Sequence, residues 1–269
     1  MTLKFSPALQ NFIAESGSWK DAFDNGSILI YTGAQPATPN LAATGTLLAT
    51  VTVGAAAKTS EVLATGVLTL SGTTSGSVDT LTLLGAEIMG SATAFNTTLN
   101  QTATDVATKI NRNSKNKFVT ASTTGASAVI TLTALPGFGT LLNSAALTIG
   151  STTLTSAVTS TSFGSGTGGS VAGVNAANGL KMDYNAAAGV MTKDTTQTWS
   201  GTAVADGTAG WFRYVSSVAD AQALDSSATY LRMDGAISVS GSEMSMSSTV
   251  VANGALQTLS TFSFTIPAA

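Results

Sequence analysis

The chain contains neither cysteine nor histidine. Without cysteine there is no disulfide framework, no thiolate nucleophile, no iron–sulfur cluster and no zinc ribbon. Without histidine the commonest general base and metal ligand is missing, and Ser–His–Asp chemistry is excluded. Charge is also scarce. Only 9% of the 269 residues are charged, against about 25% in an average soluble protein. The 11 basic residues are spread thinly and form no stripe that would track a phosphate backbone, so nucleic acid is not an expected partner. No apolar run approaches the roughly 20 residues of a membrane-spanning helix, so no membrane partner is expected either. Residues 1–11 carry no apolar stretch and no small-residue cleavage site, and no signal peptide is expected.

What is abundant is small and neutral. Serine and threonine together supply about 28% of the residues. Such a composition can mean disorder, but the net charge is only −3 and Val, Ile, Leu and Phe recur in alternation along the chain. That pattern predicts a β-rich fold with hydroxyl-covered faces. Surface charge usually keeps a lone monomer soluble. A chain this poor in charge is expected to be a subunit covered by its neighbours.

Ser6 followed by Pro7 predicts a helix start, with Leu9, Phe12 and Ile13 forming a short apolar stripe that ends at Gly17. Ser18 predicts a second short helix through Trp19, Ala22 and Phe23. Strands are predicted at Ser27–Thr32 and Thr46–Val53. In the middle region they are predicted at Val67–Leu70, Thr80–Leu83, Phe118–Ala121, Ala128–Thr133 and Leu147–Ile149. One helix is predicted there: Thr102 with Asp105 reads as a capping box ahead of Ala103, Val106, Ala107 and Ile110. Gly164–Gly169 has linker composition. Beyond it, strands are predicted at Leu180–Asp183, Gly189–Thr192, Thr198–Ala203, Gly210–Val215, Tyr230–Gly235 turning into Ala236–Val239, and the alternating run 257–267.

Residues 1–57 hold too few strands for a free-standing fold, and residues 170–269 lack an opening strand. Joined, they give about eight strands. The expected organisation is a discontinuous β-sandwich base, jelly-roll-like, of residues 1–57 and 170–269, with short N-terminal helices. A small inserted β-α-β-β module, residues 58–169, enters and leaves through a loop.

The most concentrated polar group is Trp211, Arg213, Tyr214, Tyr230, Arg232 and Asp234, which holds two of the three arginines in the chain. Two such arginines in neighbouring strands suit either a grip on an anion or an Arg–Asp bridge that pins strand register. No base, nucleophile or metal site accompanies them, so the bridge is expected, with Arg213 paired to Asp234. Asp220, Asp225, Asp234 and Glu243 show no glycosidase pattern and are expected to be solvated at the surface. A calcium site built from Asp183, Asp206 or Asp234 has no motif behind it. Gly164–Gly169 lacks a phosphate-loop lysine. No cofactor, metal or catalytic residue is predicted. The N-terminal segment, 1–23, carries Leu9, Phe12, Ile13 and Trp19. It is expected to be a contacting arm whose first 17 residues are dispensable for folding.

Three stretches resemble a family of tailed-bacteriophage virion proteins. The first is Ser27–Pro36 (SILIYTGAQP) followed by Ala43–Thr50 (ATGTLLAT). The second is Trp199–Arg213 (WSGTAVADGTAGWFR) with Arg232–Gly235 (RMDG). The third is the closing FSFTIP run, 262–267. The resemblance spans residues 1–55 and 172–269, where the family would have a short loop in place of the insert. The insert is itself similar to small β-α-β modules of phage tail and appendage proteins. The resemblance implies a structural component of the virion, assembled in the host cytoplasm, whose partners are copies of itself and the major capsid protein or tail and neck proteins. A capsid decoration or cement protein is the first expectation. A tail-tube, neck or collar ring subunit is the alternative, followed by a carbohydrate-binding adhesin. Exposed aromatics on loops would favour the adhesin, but Trp19, Trp199 and Trp211 all fall in or beside predicted elements.

Overall fold

The computed structural model describes residues 3–72, 75–152, 157–160, 162–166, 168–183 and 189–266. Met1, Thr167 and Pro267, which the readings above include, lie outside them. In chain order the elements are β1 (Lys4–Phe5), α1 (Pro7–Glu15), α2 (Trp19–Phe23), β2 (Ser27–Thr32) and β3 (Leu47–Val53). Then come β4 (Thr65–Ser71), β5 (Ser77–Leu83), β6 (Ala86–Glu87), β7 (Thr93–Ala94), α3 (Leu99–Arg112), β8 (Val119–Thr123), β9 (Val129–Ala134), β10 (Leu147–Thr152) and β11 (Ala157–Ser160). The last group is β12 (Val190–Thr192), β13 (Trp199–Thr202), β14 (Gly207–Val215), β15 (Arg232–Ser238), β16 (Met244–Ser245), β17 (Val250–Val251), β18 (Leu256–Leu259) and β19 (Ser263–Thr265). The fold is mostly β and sandwich-like, and it divides into two units, Met1–Ser60 with Ala176–Ala269, and Glu61–Asn175.

The first unit is built on a nine-stranded sheet in the order β1-β15-β14-β2-β3-β13-β18, with β16 on β15 and β17 on β14. Strand alternation sends Ile28 and Ile30, Val51, Trp199, Phe212 and Tyr214, and Met233 into one apolar core, and an irregularity in the β2–β3 register lets Leu48 join them, all fully buried. The second layer over that core is α1, α2 and the separate β12–β19 pair, contributing Leu9, Ala22, Phe23, Met191 and Phe264. Full burial of one Leu, Ile or Phe side chain contributes about 1.5–3 kcal/mol, so this layer is integral to the unit. Local chemistry sets the helices. Ser6 Oγ accepts from Leu9 N with Pro7 in the first turn, and Ser18 with Asp21 closes a capping box.

The second unit packs two four-stranded sheets around its own core. One has the order β10-β5-β6 with β7 on β5, and the other β11-β4-β9-β8. Leu68 and Leu70, Leu81 and Leu83, Ile130 and Leu132 point inward at the strand period, and α3 adds Val106, Ala107 and Ile110 at the helical period. Glu61 anchors the start of the unit: its buried carboxylate accepts from the N–H groups of Gly137 and Gly139.

Three local expectations are corrected. Helix α3 starts one turn earlier, with Thr98 as its N-cap, because Thr102 lies inside the helix and donates its hydroxyl to Thr98 O. Leu180–Asp183 is no strand and makes only the single bridges Gly26↔Leu180 and Met182↔Lys193. Gly235 is no turn. It sits within β15 opposite Phe212, and a Cβ there would lie 2.6 Å from the Phe212 ring, so the glycine makes room for that ring.

The unit boundaries fall at 60/61 and 175/176, where the sequence suggested 57/58 and 169/170. Residues 170–175 stay with the second unit because Val174 exchanges two backbone hydrogen bonds with Val62 and Thr65 N donates to Val171 O. Phe163, just before the glycine run, is fully buried in the same core. Thr59 and Ala177 exchange the equivalent pair of bonds inside the first unit, so their Cα atoms are about 5.5 Å apart. Replacing residues 61–175 by an Asn-Gly turn between Ser60 and Ala176 should therefore close a hairpin. The shortened chain is expected to unfold cooperatively with native tryptophan emission. Exposed tryptophan in that chain would show instead that the first unit depends on the second.

Candidate functional site

The face of the nine-stranded sheet opposite the apolar core carries charge. On β14, Phe212 and Tyr214 point into the core, so Trp211 and Arg213 point the other way. On β15, Met233 points in, and Arg232 and Asp234 point out. Register sets Arg213 directly across from Asp234. Arg213 donates from Nε to Asp234 Oδ1 and from Nη2 to Oδ2, both at 2.8 Å. Arg232 forks in the same way onto Asp220, with both distances 2.6 Å. The side chains of Arg213, Asp234 and Arg232 are 0% exposed, and that of Asp220 is 3% exposed.

Two loops make that burial possible. Residues 33–46 and 216–231 cross the charged face, joined by backbone bonds from Ala43 N to Gln222 O and from Asp225 N to Asn40 O. The third nitrogen of each guanidinium holds the first loop: Arg213 Nη1 donates to Leu41 O (3.2 Å), and Arg232 Nη1 donates to Pro39 O (3.0 Å) and Leu41 O (3.4 Å). Lys4 Nζ adds a bond to Pro36 O. Tyr31 stacks on Trp211 with centroids 4.6 Å apart, Arg213 lies over the Trp211 ring, and Arg232 lies over Tyr230. The unit thus contains a double ion-pair clamp whose remaining donors fix a loop.

Burial pushes the Asp234 carboxyl above the usual carboxylate range, and the bonds and charge of Arg213 oppose this. Burial pushes the Tyr31 phenol from 10.0 up to about 12, with Arg213 pulling the other way, and lifts Tyr214 well above its ordinary value. A phenol whose folded-state pKa is raised holds its proton longer in the folded chain. Its stabilising contribution is full below pH 10 and is lost as pH rises toward 12. Tyr31→Phe is therefore expected to remove one late step from the alkaline absorbance titration and to flatten the fall in stability over that range. An unchanged titration curve would contradict this placement.

Of the four carboxylates expected at the surface, Asp220, Asp225 and Asp234 have buried side chains, while Glu243 stays half-exposed at a recess. Asp225, also buried, accepts from Thr229 N and Tyr230 N, and Glu243 accepts from Ala236 N. Asp220 is buried because Arg232 and Gln222 N both donate to it. Asp220 and Asp225 thus satisfy donors of the loop that would otherwise be stranded. Asp234, offered above as a calcium ligand, has both oxygens taken by Arg213. Among the described residues no group of three or more acidic side chains converges as a metal site.

The N-terminal segment is not a detached arm. Leu9 is fully buried in the core, and Phe12, Ile13 and Trp19 pack half-buried against it. Trp19 meets the rings of Phe5 and Phe264 edge-on. Ser6 is buried, its hydroxyl donating to Tyr230 O and accepting from Arg232 N, while β1 pairs with β15. These links reach more than 220 residues along the chain, so sequence proximity gave no sign of them.

Two shallow recesses of about 400 and 460 Å³ flank the Phe262 segment, with one charged lining residue each, Glu243 and Lys193. In them Glu243 accepts from Ala236 N, and Lys193 donates to the Asp194 and Gln197 carbonyls. The dominant feature is therefore the clamp and the double loop above it. No protein-family model matches this chain, and no curated protein and no solved structure matches it.

Proposed function

We propose that this chain is a non-enzymatic structural subunit of a tailed-bacteriophage virion, and specifically a decoration or cement protein seated on the major capsid lattice. The observation that carries the reading is the inward turn of charge. Apart from Tyr230, the only ionisable side chains of the double loop are those of Asp220 and Asp225, both buried beneath it, and its outer surface carries methyl, hydroxyl and amide groups. Neutral surface of that kind is desolvated at lower cost than carboxylate or ammonium, which suits permanent burial in an assembly. The stretches that resemble virion proteins supply β2, β13, most of β3 and β14 and the start of β15, which are central strands of the sheet and carry Arg213, Arg232 and Asp234 of the clamp. The partners on this reading are copies of the chain and the capsid protein, with no nucleic acid, membrane, metal or cofactor.

The test is composition and rebinding. Virions of a phage encoding this chain should contain it at a fixed ratio to the major capsid protein, and particles lacking it should take up purified protein to saturation. Absence from purified virions overturns the reading. Confinement to detached tails moves the chain to a ring subunit and overturns the decoration assignment.

A further inference from the structure

We infer that the recess of about 400 Å³ lined by Glu243 is a groove for an extended peptide segment of a second protein, paired as an added strand and carrying a basic residue. The groove goes beyond the structural role of the chain and stands without it.

Two strand edges line this recess. One wall is the consecutive run 261–265, which contains β19, and the other is 242–245, which contains β16. β19 bonds to β12 through its even-numbered residues, since Lys193 N donates to Phe262 O and Ile266 N donates to Gly189 O. Bonding alternates along an antiparallel ladder, so the backbone groups of Ser263 and Thr265 point away from β12. On β16, Met246 N donates to Ser238 O, which turns the backbone groups of Ser245 away from β15. Among the described residues none of these three makes a backbone bond on that outer side. At about 3.3 Å per residue, the run 261–265 offers roughly 16 Å of open edge. Outward donors and acceptors along a groove are what an added strand pairs with. Buried Met244, Phe262 and Phe264 alternate there with exposed Ser245, Ser263 and Thr265, which suits a segment that alternates apolar and hydroxyl residues.

The second unit shows how this chain closes an edge that pairs with nothing. Leu135 N donates to Phe118 O, so the outward backbone groups of β8 belong to Val119 and Ala121. The Asn111 amide donates to Ala121 O and accepts from Ala121 N, and Asn116 does the same for Val119. Two amides thus block that edge. Among the described residues no side chain does this for Ser263 or Thr265, and the run 261–265 holds no charge and no proline.

Glu243 sets the chemistry of the occupant. It is the one charged residue lining the recess. Its Oε2 accepts from Ala236 N, and its Oε1 takes no bond among the described residues. A carboxylate on the wall of an otherwise neutral groove favours Lys or Arg on the incoming strand and opposes Asp or Glu.

Fluorescence anisotropy of a labelled octapeptide, alternating valine and threonine with one central lysine, titrated with the full chain tests this. Saturable binding is expected. Glutamate in place of that lysine should weaken it at least about 10-fold. N-methylation of the peptide's backbone nitrogens should abolish it. Ser263→Pro removes an outward N–H without breaking a ladder bond and should weaken binding at least about 10-fold. Glu243→Gln keeps an acceptor for Ala236 N and serves if the proline variant misfolds. It should weaken the lysine peptide at least about fivefold and leave a peptide of valine and threonine alone within about twofold. Thr258 faces out of β18, because Ala203 N donates to Ala255 O, and that edge lines neither recess. Thr258→Pro should therefore leave binding within about twofold. Absence of saturable binding, or equal losses from proline at 258 and at 263, overturns the groove. Binding that ignores Glu243→Gln overturns the basic residue. A wild type that self-associates in sedimentation velocity, and stops doing so with Ser263→Pro, assigns the edge to a second copy and overturns the foreign segment.

Discussion

Deleting residues 1–17 is expected to unfold the first unit. The deletion removes β1, which pairs Lys4 with Asp234 and Phe5 with Met233, and all of α1. It removes Ser6, which binds the backbone of Tyr230 and Arg232, and it removes Leu9 from the centre of the core. Loss of a buried leucine side chain alone costs about 2–5 kcal/mol, and loss of a serine N-cap adds roughly 1 kcal/mol. Stripping a strand and a helix from Met233 and its neighbours exposes further apolar surface. A typical domain has about 5–15 kcal/mol in total, so these losses together are of the order of the unit's whole stability. All three tryptophans, 19, 199 and 211, lie in this unit. Tryptophan emission in the full chain therefore reports on it alone. The truncated chain should show solvent-exposed emission with no cooperative transition, while circular dichroism of the second unit persists. Leu9→Ala should lower stability by about 2–5 kcal/mol with the transition intact. A truncated chain that unfolds at the wild-type denaturant midpoint would restore the detached arm.

What could be read from the sequence was local. Ser6-Pro7 and Ser18 give helix starts because a cap acts within three residues. The run 27–32 reads as a strand because it is apolar on both faces and ends at Gly33. Thr102 misled because its cap-like spacing to Asp105 matches Thr98 with Gln101, and only the tertiary fold decides which hydroxyl faces an unpaired N–H. The alternation of 257–266 has one period but serves two sheets, β18 on β13 and β19 on β12. Nothing in the pattern marks the break at Ser260–Phe262. The clamp was half legible. Arg213 and Asp234 stand out as rare charges in adjacent apolar strands. Asp220 and the Leu41 carbonyl did not, because the carbonyl lies 172 residues from Arg213 and any backbone oxygen would serve. Burial of Asp225 was hidden for the same reason, since its partners are backbone N–H groups that every residue except proline provides.

Arg213→Ala is expected to lower the stability of the first unit by about 3–5 kcal/mol, because it leaves a carboxylate with 0% exposure and no forked partner. Read by tryptophan emission, that is a shift of roughly 2 M in urea midpoint at a slope of about 2 kcal/mol/M. Lys4 is the next cation along the register but its Nζ is held on Pro36 O, so it is not free to replace the guanidinium. The penalty should depend on pH with a definite sign. Burial already raises the Asp234 pKa, and loss of Arg213 raises it further. A carboxyl whose folded-state pKa exceeds its unfolded value favours the folded chain at low pH and opposes it as pH rises through the folded value. The Arg213→Ala penalty should therefore shrink under acid conditions and be largest near neutrality. Asp234→Leu strands the guanidinium instead and should cost a similar amount. The double variant, Arg213→Met with Asp234→Leu, replaces both charges by apolar volume and should recover all but about 1–2 kcal/mol. Arg232 Nη1 still reaches the Leu41 carbonyl, so the loop keeps one of its two clamps. A coupling energy of at least about 2 kcal/mol in this cycle is the expected result. Single penalties below about 1 kcal/mol, or a double variant as damaged as the two singles combined, would mean that the pair is exposed to water and that another contact holds the loop.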